Sequence, residues 1–197
     1  MESLSKRILD EVATLPEATP IYAKALLHLG TRAAVDQALS RLARRGQLAR
    51  VGRGLYLRPI ETRFGTRAPS VETVLEALKT EGGEMIAKSG ASAANKLGFT
   101  TQVPVRTVYL TSGRSRRLQF GAQTVELKRA PRWQLMLPGH AGDVIRAFAW
   151  LGKERASELT SQLRRTLSSQ TIQTLSRVRP QMPTWIAEEV SSLVARA

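Results

Sequence analysis

TRAAVDQALSRLARRGQLARVGRGLYLRP, residues 31–59, changes its rhythm halfway, and that change decides the fold. In its first half Val35, Ala38, Leu39 and Leu42 recur at i, i+3, i+4 and i+7, the spacing of a helix with one apolar stripe. Thr31 stands at the N-cap position, and Gly46 can take the left-handed conformation that ends a helix. Past Gly46 the runs QLARVG and RGLYLR alternate as strands do, and Gly52 and Gly54 flank Arg53 in a tight turn. Leu48, Val51, Leu55 and Leu57 give these strands their apolar anchors.

Working upstream, SLSKRILDEVATL holds Leu4, Ile8, Val12 and Leu15 at helical spacing, with Ser3 or Ser5 able to cap, and predicts a helix over residues 4–15. ATPIYAKALLHLG predicts a second, short helix: Thr19 caps it, Pro20 suits its first position and Gly30 closes it. Helix, helix, helix, hairpin is the order of a winged helix-turn-helix, whose third helix enters the major groove while the wing lies along the neighbouring backbone or minor groove. On the third helix Ala33, Asp36, Gln37, Ser40, Arg41 and Arg44 fall opposite the apolar stripe.

Downstream, PIETRFGTRAPS has two prolines, a glycine and no clear period, so residues 59–70 read as a linker or packed connector between a first domain over 1–58 and a second over 71–197. The second domain opens with a helix carrying Val71, Val74, Leu75 and Leu78 on one side. A short strand at MIAKSG follows, then a small-residue helix stopped by Gly98. VPVRTVYLTS, RRLQF and TVELKRA alternate as strands, with Gly121 and Ala122 as the turn between the last two. From Gly142 on, four stretches have helical spacing. The expected fold class is α+β: an N-terminal winged helix-turn-helix, then a mixed domain with a small antiparallel sheet and C-terminal helices.

The chain has 30 Lys and Arg against 16 Asp and Glu, a net charge of +14 that is typical of partners for nucleic acid or another anionic surface. The charge is concentrated: residues 31–58 carry seven arginines against Asp36, and residues 106–132 carry seven basic residues against Glu126. Each block is +6, so together they hold +12 of the +14. There is no cysteine, which excludes disulfides and thiolate metal sites, and neither a signal-peptide core nor a membrane-spanning run is evident. A cytoplasmic setting fits.

Catalytic groups are scarce. His28 and His140 are the two histidines, the first near the end of the expected second helix and the second in a loop, and neither has a ligand partner at metal spacing. No phosphate-loop pattern is present. The expectation is a protein without enzymatic activity, cofactor or metal, whose DNA contacts come from Arg32, Gln37, Ser40, Arg41, Arg44, Arg45, Arg50 and Arg53. A second basic patch is expected where Arg114, Arg116 and Arg117 begin one strand and Lys128, Arg129 and Arg132 end the next. It suits nucleic-acid phosphates or an acidic protein partner, and equally a solvated sheet rim whose charges protect an edge.

GTRAAVDQALSRLARRGQLARVGRGLYLRP (30–59) resembles the N-terminal winged helix of AbiEi-type antitoxins, and SGASAANKLGFTTQVPVRTVYLTSGRSRRLQFG (89–121) resembles the helix, turn and strand of AbiEi-like proteins. WLGKE (150–154) and PTWIAEEV (183–190) fit the same family. The resemblance implies a regulator that represses its own operon by binding double-stranded promoter repeats through its first domain. It further implies that the second domain counteracts a nucleotidyltransferase-type toxin without a stable complex. The alternative is a stand-alone winged-helix regulator, or a non-specific nucleic-acid-binding protein, lacking antitoxin activity.

Overall fold

The computed structural model describes residues 2–63, 65–102 and 106–195, and the fold is α+β with small antiparallel sheets. The chain divides into two compact units, one of Met1–Glu84 with Arg116–Glu126 and one of Met85–Ser115 with Leu127–Ala197.

In the first unit, helix α1 (Leu4–Ala13) is capped by Ser3, whose hydroxyl accepts from the Lys6 N–H at 3.3 Å. It stops short of residue 15 because Pro16 disfavours a helical conformation at Leu15, and the Thr14 hydroxyl bonds back to the Glu11 carbonyl at 2.7 Å. The second expected helix is not there. Strand β1 (Ile21–Tyr22) and a 3₁₀ turn (Ala23–Leu26) take its place, and Gly30 is not left-handed. The backbone of Ile21 and Tyr22 pairs with Tyr56 and Leu55, which withdraws it from any helix, while Ala23 and Leu26 join the core.

Helix α2 (Arg32–Arg44) begins where expected, with the Thr31 hydroxyl accepting from the Ala34 N–H at 3.4 Å. Gly46 ends it at φ +73°, a conformation that favours glycine. Strands β2 (Ala49–Gly52) and β3 (Leu55–Leu57) form the hairpin, and the sheet order is β1-β3-β2. Val35, Ala38, Leu39 and Leu42 pack with Ile8, Val12, Ile21, Leu26, Leu48 and Tyr56 in one core. Each fully buried aliphatic side chain of that kind stabilises by about 1.5–3 kcal/mol.

Residues 59–70 are a structured connector rather than an open linker: β4 (Ile60–Thr62) pairs with β5 (Gly65–Arg67) in an antiparallel hairpin. Helix α3 (Val71–Thr80), capped by Ser70, buries Val71, Val74, Leu75 and Leu78 as its spacing requires. It belongs to the first unit, so the compact units do not divide at residue 70. The Thr19 hydroxyl donates to Glu81 at 3.2 Å, and Arg116 pairs with Glu84 at 2.8 Å. The chain then runs through β6 (Ile86–Lys88), α4 (Gly90–Lys96) and β7 (Thr107–Thr111) of the second unit, and returns to the first with β8 (Arg116–Phe120). Gly121, at φ +59°, turns it into β9 (Gln123–Arg129), whose last residues lie in the second unit. The expected strand start at Val103–Val105 lies outside the described residues.

The second unit is mainly helical: α5 (Arg132–Leu135), α6 (Gly139–Leu151), α7 (Lys153–Leu163), α8 (Ser169–Val178) and α9 (Thr184–Val194). His140 lies in the first turn of α6 rather than in a loop. Ala93 and Ala94 of α4 share a core with Val144, Ile145 and Phe148 of α6, Leu159 and Leu163 of α7, Leu175 of α8, and Ile186 and Val190 of α9. Small residues let α4 and α6 approach closely: a Cβ at Gly90 would stand 2.4 Å from the Arg146 carbonyl oxygen and 2.5 Å from the Trp150 Cβ. The first contact is backbone and the second a Cβ held directly on the α6 backbone, so neither is the flexible end of a side chain that could yield. Gly90→Ala is therefore expected to cost about 3 kcal/mol, the upper end of ordinary overpacking, read as a lowered denaturation midpoint.

Candidate functional site

The arginines expected to meet DNA all lie in the first unit. Helix α2 holds Gln37, Arg41 and Arg44 exposed at spacings of four and three, hence on one face, while Ser40 is half-buried beside them. Arg32, at the start of the helix, is bound to Asp36 through Nε at 2.8 Å, so its charge is partly offset. Arg45, the C-cap, is exposed and lines a hollow with Asp10, Glu17, Glu61 and Arg58, a mixed-charge setting unlike that of Arg41 and Arg44.

In the hairpin, Ala49 pairs with Leu57 and Arg50 with Tyr56, after which a bulge brings Gly52 opposite Leu55. The bulge bends the strand at the point where the turn begins. Gly54, at φ +67°, closes the turn and leaves Arg53 exposed at its tip. Among the described residues, no acid lies within ion-pair distance of Arg41, Arg44, Arg45, Arg50 or Arg53.

Tyr56 is a residue the sequence-based set omits. It is 4% exposed, its hydroxyl lies 3.5 Å from that of Ser40, and the Arg50 guanidinium carbon lies 6.0 Å from its ring centroid. One buried ring thus connects α2 to the hairpin and supports an arginine on the way. Only the strand register, with Arg50 opposite Tyr56, reveals this.

The second basic block does not behave as one feature. Arg116 and Arg117 belong to the first unit, where Arg116 binds Glu84 and the Arg117 Nε lies 3.3 Å from Glu126. Arg117 also shares a hollow with Arg50, and a Cβ at Gly52 would stand 3.5 Å from the Arg117 carbonyl oxygen and 3.3 Å from Leu118 Cδ2. Glycine at 52 lets β2 approach β8 and brings an arginine of the second block beside the hairpin. Arg114, Lys128, Arg129 and Arg132 are exposed in the second unit.

The histidines are not grouped. His28 Nε2 lies 2.8 Å from a Glu11 carboxylate oxygen, and His140 is exposed on α6. Among the described residues, no three His, Cys, Asp or Glu side chains cluster as a metal site, and no helix is long and apolar enough to cross a membrane.

No curated protein and no solved structure matches the chain. One family model does, over residues 7–175, a span that takes in α2, the hairpin and most of the second unit. The chain belongs to that family, DUF6088, a family of unknown function.

Proposed function

We propose that the protein is a sequence-specific duplex DNA-binding regulator whose first unit acts as a winged helix-turn-helix. The observation that carries this reading is the row Gln37, Arg41 and Arg44 on α2, exposed and without acid partners, next to a hairpin presenting Arg50 and Arg53. The order α1, β1, 3₁₀ turn, α2, β2, β3 with β1 closing the sheet supports it, since it puts a helix and a two-stranded wing side by side. In this reading α2 lies in the major groove. Arg41, Arg44 and Gln37 meet base edges, Ser40 and Arg32 lie beside them, and Arg45, Arg50 and Arg53 serve phosphates or the minor groove.

A competition gel-shift between the DNA upstream of its own gene and random duplex tests this at moderate salt. A preference of roughly a thousandfold or more is expected of a specific regulator, and equal binding would sink the specific reading. Arg53→Ala should weaken every duplex alike and reduce the slope of log affinity against log salt by about one. A change in sequence preference instead would remove Arg53 from the phosphate role.

The resemblance to AbiEi-type antitoxins supports a further role, in which the protein represses its own operon and counteracts a nucleotidyltransferase-type toxin without forming a stable complex. Co-expression of the full chain with the product of the adjacent gene tests it: growth should recover, and continued arrest speaks against the role.

A further inference from the structure

The second unit contains a concave site distinct from the arginines of α2 and the hairpin. A cavity of about 330 Å³ is lined by Ser89, Gly90 and Ala91 at the start of α4, Arg106, Val108 and Leu110 along β7, Lys128 of β9, Gln134 of α5, and Arg146, Ala149 and Trp150 of α6. Its size lies at the lower end of small-ligand pockets. We propose that it binds a single nucleotide, a phosphate-bearing ligand with a flat ring.

Charge is the first argument. Arg106, Lys128 and Arg146 line the cavity and, among the described residues, no Asp or Glu does. Asp143, which pairs with Arg146 at 2.7 Å, also holds Lys96 at 2.7 Å, so this group of three carries a net positive charge. Arg146 is 4% exposed, and its Nε is buried without a hydrogen-bond partner among the described residues. Buried polar atoms are nearly always satisfied, and one that is not points to function. An anion drawn to the cavity would gain from all three cations and offset part of the cost of burying Arg146.

The ring is the second argument. Trp150 is 45% exposed, one of the few large apolar side chains left open, and it borders the cavity. Val108, Leu110, Ala91 and Ala149 supply an apolar floor of small and aliphatic groups. An indole face beside cations suits a base, since stacking on an aromatic ring is worth about 1–3 kcal/mol per base. Simple phosphate would leave the indole and this floor without a partner. A bulky peptide would not fit the volume.

The full chain should be titrated with each of the four ribonucleoside 5′-monophosphates, and with adenosine and inorganic phosphate as partial probes, following tryptophan fluorescence and thermal shift. At least one monophosphate should saturate below about 1 mM, with adenosine and phosphate each at least tenfold weaker, roughly the loss of one good interaction. Trp150→Phe should abolish the fluorescence response, which assigns the signal among the three tryptophans. Arg106 and Lys128 are exposed, so Arg106→Gln with Lys128→Gln should keep the parent's thermal midpoint and weaken monophosphate binding at least tenfold. No saturation by any monophosphate, phosphate binding as tight as the nucleotide's, or unaltered binding by the Arg106 and Lys128 variant would each overturn the proposal. Because Arg41 and Arg44 lie in the other unit, their removal should leave the nucleotide titration intact, and its loss there would relocate the site.

Discussion

Replacing Arg41 and Arg44 together by alanine is expected to weaken binding to the preferred duplex by about 2–6 kcal/mol, the sum of about 1–3 kcal/mol for each base contact. The two side chains are three residues apart on α2, so they stand about 4.5 Å apart along the helix axis, between one and two base-pair steps of about 3.4 Å. Both are exposed and neither has an acid within ion-pair distance among the described residues, so folding neither requires nor offsets their charge. The variant should thus keep the parent's thermal midpoint, as surface changes shift stability by less than about 0.5 kcal/mol. Fluorescence anisotropy against the upstream duplex and a scrambled one, at a single fixed salt concentration, measures the effect. Affinity for the upstream duplex should fall more than affinity for the scrambled one. A double variant that binds both within a factor of about three of the parent would place the DNA face elsewhere.

That α2 and its hairpin are legible in the sequence follows from the local nature of their determinants. Thr31, the stripe Val35, Ala38, Leu39 and Leu42, and the glycines at 46 and 54 each act within a few residues, and all hold in the structure. The second helix misleads for the opposite reason. TPIYAKALL has a fair cap and helix formers, but Ile21 and Tyr22 answer to Leu55 and Tyr56, far downstream, and the sheet outcompetes the local preference. Residues 60–67 give no strand signal in the sequence, since strands of three residues leave too short a pattern to read.

The candidate sites divide along the same line. Arginines without nearby acids can be counted in sequence, and so can Arg32 with Asp36 four residues on. What cannot be counted is Tyr56 beneath Arg50, which depends on register, or the meeting of Arg106, Lys128 and Trp150 around one cavity, which depends on how strands and α6 pack. Arg116 and Arg117 look like part of a patch in sequence because their acid partners, Glu84 and Glu126, are brought to them only by folding.

Asp143→Ala is expected to destabilise the second unit by about 3–5 kcal/mol, the cost of removing one partner from a buried ion pair. Asp143 and Arg146 are 5% and 4% exposed on successive turns of α6, in the helix that supplies Val144, Ile145 and Phe148 to the core. One carboxylate oxygen accepts from Arg146 at 2.7 Å and the other from Lys96 at 2.7 Å, tying α6 to α4. Among the described residues Arg146 otherwise has only the Gln134 carbonyl, at 3.2 Å, and its Nε has no hydrogen-bond partner. Without Asp143 a guanidinium is left in the interior with one hydrogen bond, and exposing it by unfolding becomes favourable. The sign of a second substitution separates charge from packing. Asp143→Leu with Arg146→Met removes both charges at similar volume, and should recover most of the loss, since an apolar replacement of a buried pair is often neutral. Chemical denaturation of the parent, Asp143→Leu, Arg146→Met and the double variant, a cycle in which each single carries one substitution of the double, gives the coupling directly. If the double variant is as unstable as the sum of the single ones, the pair is not what makes either residue costly to remove, and the packing of α4 on α6 is the cause instead.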